Sequence, residues 1–331
     1  MHPEVKEYIG LSTLLYTETT SSIFKYSIFN NIVKKLNQRC LSVGKDFNKI
    51  GTSETICNES KKDKENIKSI SNHPHKHQKP LNNIEFGHYL AGLIDGHGQF
   101  SSKQQLVIAF NNLDISLAYY LKKRIGYGII NKVENKNTVV FIVTAKLGIE
   151  KILYLINGKI RDKNKQKQIN KNILDHQAYF KLANCLDFQI NMNNHLDNHW
   201  LTGFTDANGS FQIKLIHDRN PLKQEVRLNF QLDQKNNDLL ELIKTKFGGN
   251  IGYSKQTDTY YYGSTNFESA RNIINYFDCY HLLSSKYLNY IKWRKAYISI
   301  SNKNHLTEAG ILKIMKLKNS MNSFNKDSFL L

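Results

Sequence analysis

Two windows of the chain carry the same short apolar run, closed by glycine and followed by a polar–apolar alternation. They are HYLAGLIDGHGQF at 88–100 and HWLTGFTDANGSF at 199–211. The windows share His, Leu, Gly, Asp, Gly and Phe at matched places, with an aromatic second residue in each (Tyr89, Trp200). Each predicts a short apolar helix that ends at a glycine and runs into a strand. Small residues one turn apart, Gly92 with Gly96 and Gly203 with Ala207, strip side chains from one face of each helix. Two such helices can approach backbone to backbone.

The patterns that follow the two windows match in order. After the first come a hairpin at Gln99–Phe110, a helix at Leu113–Arg124, a strand pair at Ile129–Lys132 and Thr138–Val143, and a helix from Gly148. The basic run KIRDKNKQKQ, 159–168, leads into another helix. After the second window, Phe211, Ile213 and Leu215 point one way, Gln212 and Lys214 the other. On the partner strand Val226, Leu228, Phe230 and Leu232 form an apolar face, Arg227, Asn229 and Gln231 a polar one. A Gly-rich turn (Gly248, Gly249), an aromatic strand (Tyr260–Tyr262), a segment at 281–295 and a closing helix after Thr307 complete it. The prediction is an α+β fold of two αββαββα repeats, at 84–188 and 199–325, joined by a polar linker at 189–198. Residues 1–83 form an N-terminal extension and linker, with one helix around 21–38 and the rest partly disordered. The hairpin of the second repeat (Gly209 to Phe230) is longer than that of the first (Gly98 to Phe110), so the two arms are expected to reach unequally along a ligand.

The two words resemble the motif of the LAGLIDADG homing-endonuclease and maturase family in its single-chain, two-repeat form, over roughly 84–325. The resemblance implies a saddle of two antiparallel sheets, with the motif helices packed on a pseudo-two-fold axis and the chain acting as a monomer. It implies further that the eighth motif residue of each helix supplies a carboxylate to a divalent-metal site at the scissile phosphates. Here those residues are His97 and Asn208. Magnesium-assisted hydrolysis calls for hard oxygen anions; asparagine offers a neutral oxygen, and imidazole a nitrogen suited to softer metals. Asp95 and Asp206 sit two positions earlier, about 200° around the helix at about 100° per residue, and are expected to hydrogen-bond near the helix end. The resemblance also places a lysine near each metal position, and Lys165 and Lys286 are the candidates. No cofactor is expected, except Mg2+ if cleavage is retained.

Charge sharpens the choice of partner. The net charge is +18, from 46 Lys+Arg against 28 Asp+Glu, which favours nucleic acid over a membrane. Four scattered cysteines (Cys40, Cys57, Cys185, Cys279) exclude a disulfide framework or a structural zinc site. No apolar run is long enough to span a bilayer. The stretch SNHPHKHQKP, 71–80, has three histidines (His73, His75, His77) at spacing a metal could use, but reads as a flexible linker. The start, Met1-His2-Pro3-Glu4-Val5, resembles a fragment of cytochrome c oxidase subunit 1, as in a frame read from an upstream exon into a group I intron.

In the second hairpin, Gln212, Lys214, Arg219, Lys223, Arg227, Asn229 and Gln231 are the candidate nucleic-acid contacts. Arg, Asn and Gln make bidentate contacts to guanine and adenine edges, and a two-stranded ribbon fits a major groove. Expected partners are double-stranded DNA and group I intron RNA, the latter through the basic helix ends and the extension. The expected function is that of an RNA maturase for its own mitochondrial intron, in the mitochondrial matrix, with DNA cleavage weakened or lost. The alternative is an active homing endonuclease that breaks the intronless allele.

Overall fold

The computed structural model describes residues 70–134, 136–217 and 224–326. The predicted helix at 21–38 and the candidate contacts Arg219 and Lys223 lie outside them. Helix α1 (Asn83–His97) begins where the Asn82 side chain accepts from the Glu85 N–H, while the Glu85 carboxylate accepts from Leu81 N–H in return. It ends at Gly98, whose backbone is already extended. A Cβ on Gly98 would lie 2.7 Å from Ile94 Cα, so the abrupt passage from helix to strand needs glycine for space.

Strands β1 (Gly98–Ser101) and β2 (Gln105–Asn111) follow, then α2 (Ile115–Ile125), β3 (Ile129–Val133), β4 (Thr138–Val143), α3 (Lys146–Ile156) and α4 (Lys163–Ile169). After a short helix α5 (Phe180–Cys185) the order recurs: α6 (Trp200–Asn208), β5 (Gly209–His217), β6 (Gln224–Gln234), α7 (Asp238–Phe247), β7 (Asn250–Ser254), β8 (Thr259–Ser264), α8 (Phe267–Cys279) and α9 (Lys286–Ser301). Helix α10 (Glu308–Lys326) closes the described chain. The two four-stranded sheets have the same antiparallel order, β1-β2-β4-β3 and β5-β6-β8-β7. The α+β, two-repeat architecture is therefore the one predicted. The unequal hairpins are also present, with strands of 4 and 7 residues in the first against 9 and 11 in the second.

Helices α1 and α6 touch along their glycines. A Cβ on Gly92 would sit 1.8 Å from the Trp200 carbonyl oxygen, and one on Gly203 1.9 Å from that of Tyr89. A Cβ on Gly96 would fall 2.3 Å from Ala207 Cβ. Around this contact each repeat buries one face of its sheet under its own helices, and Trp200, Phe204, Phe86 and Tyr89 join the two into one core. The aromatic stripe of α9 belongs to that core: Tyr290 and Trp293 are buried, and Tyr287 packs against them.

Two stretches read as linkers are held more firmly than their composition suggests. Residues 186–199 contain no helix or strand, yet they are tied to the end of α3. The Gly158 N–H donates to Gln189, Asn191 N–H donates to the Ile160 carbonyl, and the Arg161 guanidinium donates to the carbonyls of Asn193 and His195. The histidine-rich stretch is docked at its far end. His77 stacks on His281 at 5.3 Å, Gln78 N–H donates to His281 Nδ1 at 2.8 Å, and Pro80 is buried. Polar sequences of this kind order themselves when their backbone groups find fixed partners, which periodicity does not register. Among the described residues no cluster of three or more His, Cys, Asp or Glu is arranged to hold a metal, and no helix is long and apolar enough to cross a membrane.

Candidate nucleic-acid interface and metal position

The paired ends of α1 and α6 bring together four of the candidate residues. His97 and Asn208 are the last residues of the two helices. Lys165, from α4, donates through Nζ to the Gly98 carbonyl at 2.7 Å. Lys286, the first residue of α9, donates to the carbonyls of Thr205, Asp206 and Ala207 at 3.1, 2.8 and 3.0 Å. An ammonium at those carbonyls matches the negative end of the helix dipole. The first helix is finished differently: Gln234 donates to the Asp95 carbonyl at 3.2 Å, and Asn208 Nδ2 to the Gly96 carbonyl at 3.4 Å. Burial lowers the Lys165 ammonium from its ordinary value, with Asp162 and Asp95 pulling the other way.

Asp95 and Asp206 point away from these ends, into the two half-cores. Asp95, 1 % exposed, accepts from Arg161 N–H at 2.9 Å, Trp200 Nε1 at 2.8 Å and Asp162 N–H at 3.2 Å. Asp206, 5 % exposed, accepts from Tyr89 Oη and Leu283 N–H, both at 2.8 Å, and from Ser284. The arrangement is reciprocal. Each aspartate takes one hydrogen bond from the aromatic second residue of the other helix and two backbone N–H bonds from its own repeat. Arg161 adds its guanidinium over the Trp200 ring at 5.2 Å. Burial pushes the Asp95 carboxyl up to about 7, against the pull of the Arg161 and Trp200 donors, and raises Asp206 in the same way.

These contacts give a testable role for Asp95. Three N–H donors converge on its two oxygens, so Asp95→Ala leaves all three without their acceptor. The expected cost is about 1–3 kcal/mol, read by urea unfolding at pH 7. The wild-type site holds its proton up to about 7, whereas the unfolded carboxyl releases it near 3.8. Its contribution to stability therefore falls as pH rises through that window, a slope the variant removes.

The donor set at the helix ends does not fit magnesium. It offers an imidazole, a carboxamide whose nitrogen is already committed to a carbonyl, and two neighbouring ammonium groups. A hard dication needs anionic oxygens there, and the nearest carboxylates are spent on holding the repeats together.

The outward face of the second sheet collects the remaining candidates among the described residues. Gln212 lies opposite Asn229, Lys214 opposite Arg227, and Ser210 opposite Gln231. Arg227 is pinned by Glu225, which accepts from Nε at 2.6 Å and from Nη2 at 2.9 Å and raises the guanidinium further. Asn229 donates to Gln231 at 3.4 Å, and Gln231 to Asp233 at 3.0 Å. Burial and the facing Arg227 lower the Lys214 ammonium. Glu225 and Gln234 were absent from the sequence reading. The first was legible, two residues before Arg227 on the same strand face; the second sits at a strand end where alternation carries no information.

Comparison with known proteins places this geometry. A family model described as "LAGLIDADG endonuclease" matches residues 201–297. The chain is 54 % identical to a Schizosaccharomyces pombe protein described as an uncharacterized cox1 intron-2 37.2 kDa protein, over 93 % of this chain and 97 % of that one. It is 28 % identical to a probable intron-encoded endonuclease 4 of Neurospora crassa, over 73 % of this chain and 45 % of the relative. It is also 28 % identical to the intron-encoded RNA maturase bI4 of Saccharomyces cerevisiae, over 58 % of this chain and 29 % of the relative. The chain thus spans nearly all of the first relative and less than half of the other two. Among solved structures, the LAGLIDADG meganuclease I-AabMI bound to uncleaved DNA superposes with a TM-score of 0.57, at 22 % identity, over 73 % of this chain and 99 % of that one.

Proposed function

The chain belongs to the LAGLIDADG endonuclease family, and from that premise we propose that it is the product of a mitochondrial group I intron. In this reading it works in the matrix as an RNA maturase for that intron, with DNA cleavage weakened or lost. The observation that carries this is that neither helix ends in a carboxylate: His97 and Asn208 stand where hydrolysis needs two of them, and Asn208 donates to the Gly96 carbonyl instead. The resemblance of the first five residues to an oxidase exon supports the intron origin, as does the similarity to a cox1 intron protein. A net charge of +18 supplies the affinity for a polyanion.

As a maturase the monomer binds the compact, splicing-competent RNA better than its looser forms and shifts the population toward it. The saddle does not suit that task, because the deep, narrow major groove of A-form RNA excludes side chains. The saddle faces suit double-stranded DNA, and RNA is held on other basic surfaces. A second reading, an active homing endonuclease, draws on Lys165 and Lys286, which still stand beside the helix ends.

The test pairs two assays on the full chain. Added protein is expected to speed splicing of the surrounding intron in vitro. With Mg2+ it is expected to leave intact a plasmid carrying the intronless exon junction. Efficient linearisation together with unchanged splicing overturns the proposal in favour of the second reading.

A further inference from the structure

The two sheets present faces of opposite chemistry to the saddle. In the first sheet Leu106, Ile108, Phe110, Val139, Phe141 and Val143 belong to the core. The alternate positions face outward, and many of those are apolar too. Val107 lies opposite Ile142, and Ile142 opposite Ile129; Ala109 lies opposite Val140, and Val140 opposite Asn131. The accessible part of this stripe is Val107 and Ile142, both half-buried, and Ile129, 37 % exposed, while Ala109 and Val140 are themselves buried. The polar positions around this stripe are carboxamides and hydroxyls, among them Gln99, Gln105 and Asn131. Among the described residues of these four strands no outward position is charged, since Lys132 pairs with core-facing Val139. The second sheet's outward face carries Lys214, Glu225, Arg227 and Asp233, and its carboxamides already donate within the face, Asn229 to Gln231, Gln231 to Asp233 and Gln212 to Ser210.

An apolar stripe on an antiparallel sheet face calls for an apolar ligand surface at the same depth. In the major groove of B-form DNA that surface is the C5-methyl of thymine, and the acceptor and donor of the paired adenine are the match for Asn and Gln. RNA has no such methyl, and its major groove does not admit the ribbon. Lys214 and Arg227 instead match the two acceptors of guanine.

We infer that the first repeat reads an A·T half-site through thymine methyls, while the second reads a half-site containing guanine through Lys214 and Arg227. This rests on the reading of the saddle as a DNA-binding surface. Glu225 then acts as a positioning residue, holding Nε and Nη2 of Arg227 so that the guanidinium meets the base in a fixed orientation.

The experiment selects duplexes from a random library with the full chain, then re-measures binding with modified bases. In the A·T half, replacing thymine by deoxyuridine is expected to weaken binding roughly fourfold for each covered methyl. The same change in the other half is expected to do nothing, and 7-deazaguanine to weaken binding only there. The double variant Val107→Ser/Ile142→Ser, at two paired, half-buried outward positions, removes the apolar cover and is expected to abolish the deoxyuridine effect and so to identify the half it covers. Selective binding that is indifferent to deoxyuridine in both halves overturns the inference and leaves DNA recognition standing. Failure to prefer any duplex, or equal binding of duplex RNA, overturns the DNA reading together with it.

Discussion

Replacing His97 and Asn208 together by aspartate is expected to make the chain cut its target DNA in the presence of magnesium at a rate the unaltered chain does not reach. The argument is local. The two residues end α1 and α6 side by side, and the lysines are already in place at the adjacent carbonyls. What the site lacks is hard anionic oxygen. In the present chain Asn208 turns its Nδ2 toward the Gly96 carbonyl. An aspartate has no donor for that contact and is repelled by the carbonyl oxygen, so its carboxylate swings outward from the helix contact. A metal that the two new carboxylates held there would supply several kcal/mol of transition-state stabilisation, which corresponds to a rise of roughly 10³-fold in cleavage rate. Plasmid linearisation at a site the protein has itself selected, with and without EDTA, measures it. Intact binding with no cutting by the double variant would show that these two positions do not decide cleavage.

The second large effect is on stability. Gly203→Ala is expected to cost about 3 kcal/mol or more, and Gly92→Ala the same, because neither new methyl can be accommodated by a side-chain movement. Each Cβ would lie under 2 Å from a backbone carbonyl of the partner helix, Tyr89 in one case and Trp200 in the other. The helices would have to part by more than 1 Å to restore ordinary contact, about 3.4 Å for carbon against oxygen. Parting them stretches the Tyr89–Asp206 and Trp200–Asp95 hydrogen bonds, both now 2.8 Å. Urea midpoints of the two variants check this. A change of less than about 1 kcal/mol in either would mean that the helices are farther apart than described.

These effects also show which parts of the molecule were readable in its sequence. The repeated word announced both the two-fold frame and the glycine contact, because a face without side chains has few other uses. The second hairpin was readable from the strict alternation of Phe211–Leu215 and Val226–Leu232. The roles of Asp95 and Asp206 were readable only as hydrogen bonding near a helix end. Their actual donors, Trp200 and Tyr89, are more than a hundred residues away in the chain, a distance at which no period operates. The order in residues 189–198 escaped for a similar reason: it comes from Arg161 and from backbone pairs with 158–160, not from any apolar pattern of its own. The docked His77 is a third case, since a histidine among prolines and lysines gives no sign of the Tyr287 and His281 rings it meets.

The crossed bonds of Asp95 and Asp206 bear on how such a chain can change over generations. Each carboxylate depends on a ring anchored in the opposite half, so neither half is at liberty to drift by itself. What the contact requires is narrower than residue identity: phenol on one side and indole on the other do the same job, because each ring carries a hydrogen at its rim. Phenylalanine in place of Tyr89, nearly the same shape, would take one of its donors from Asp206 in the sister half.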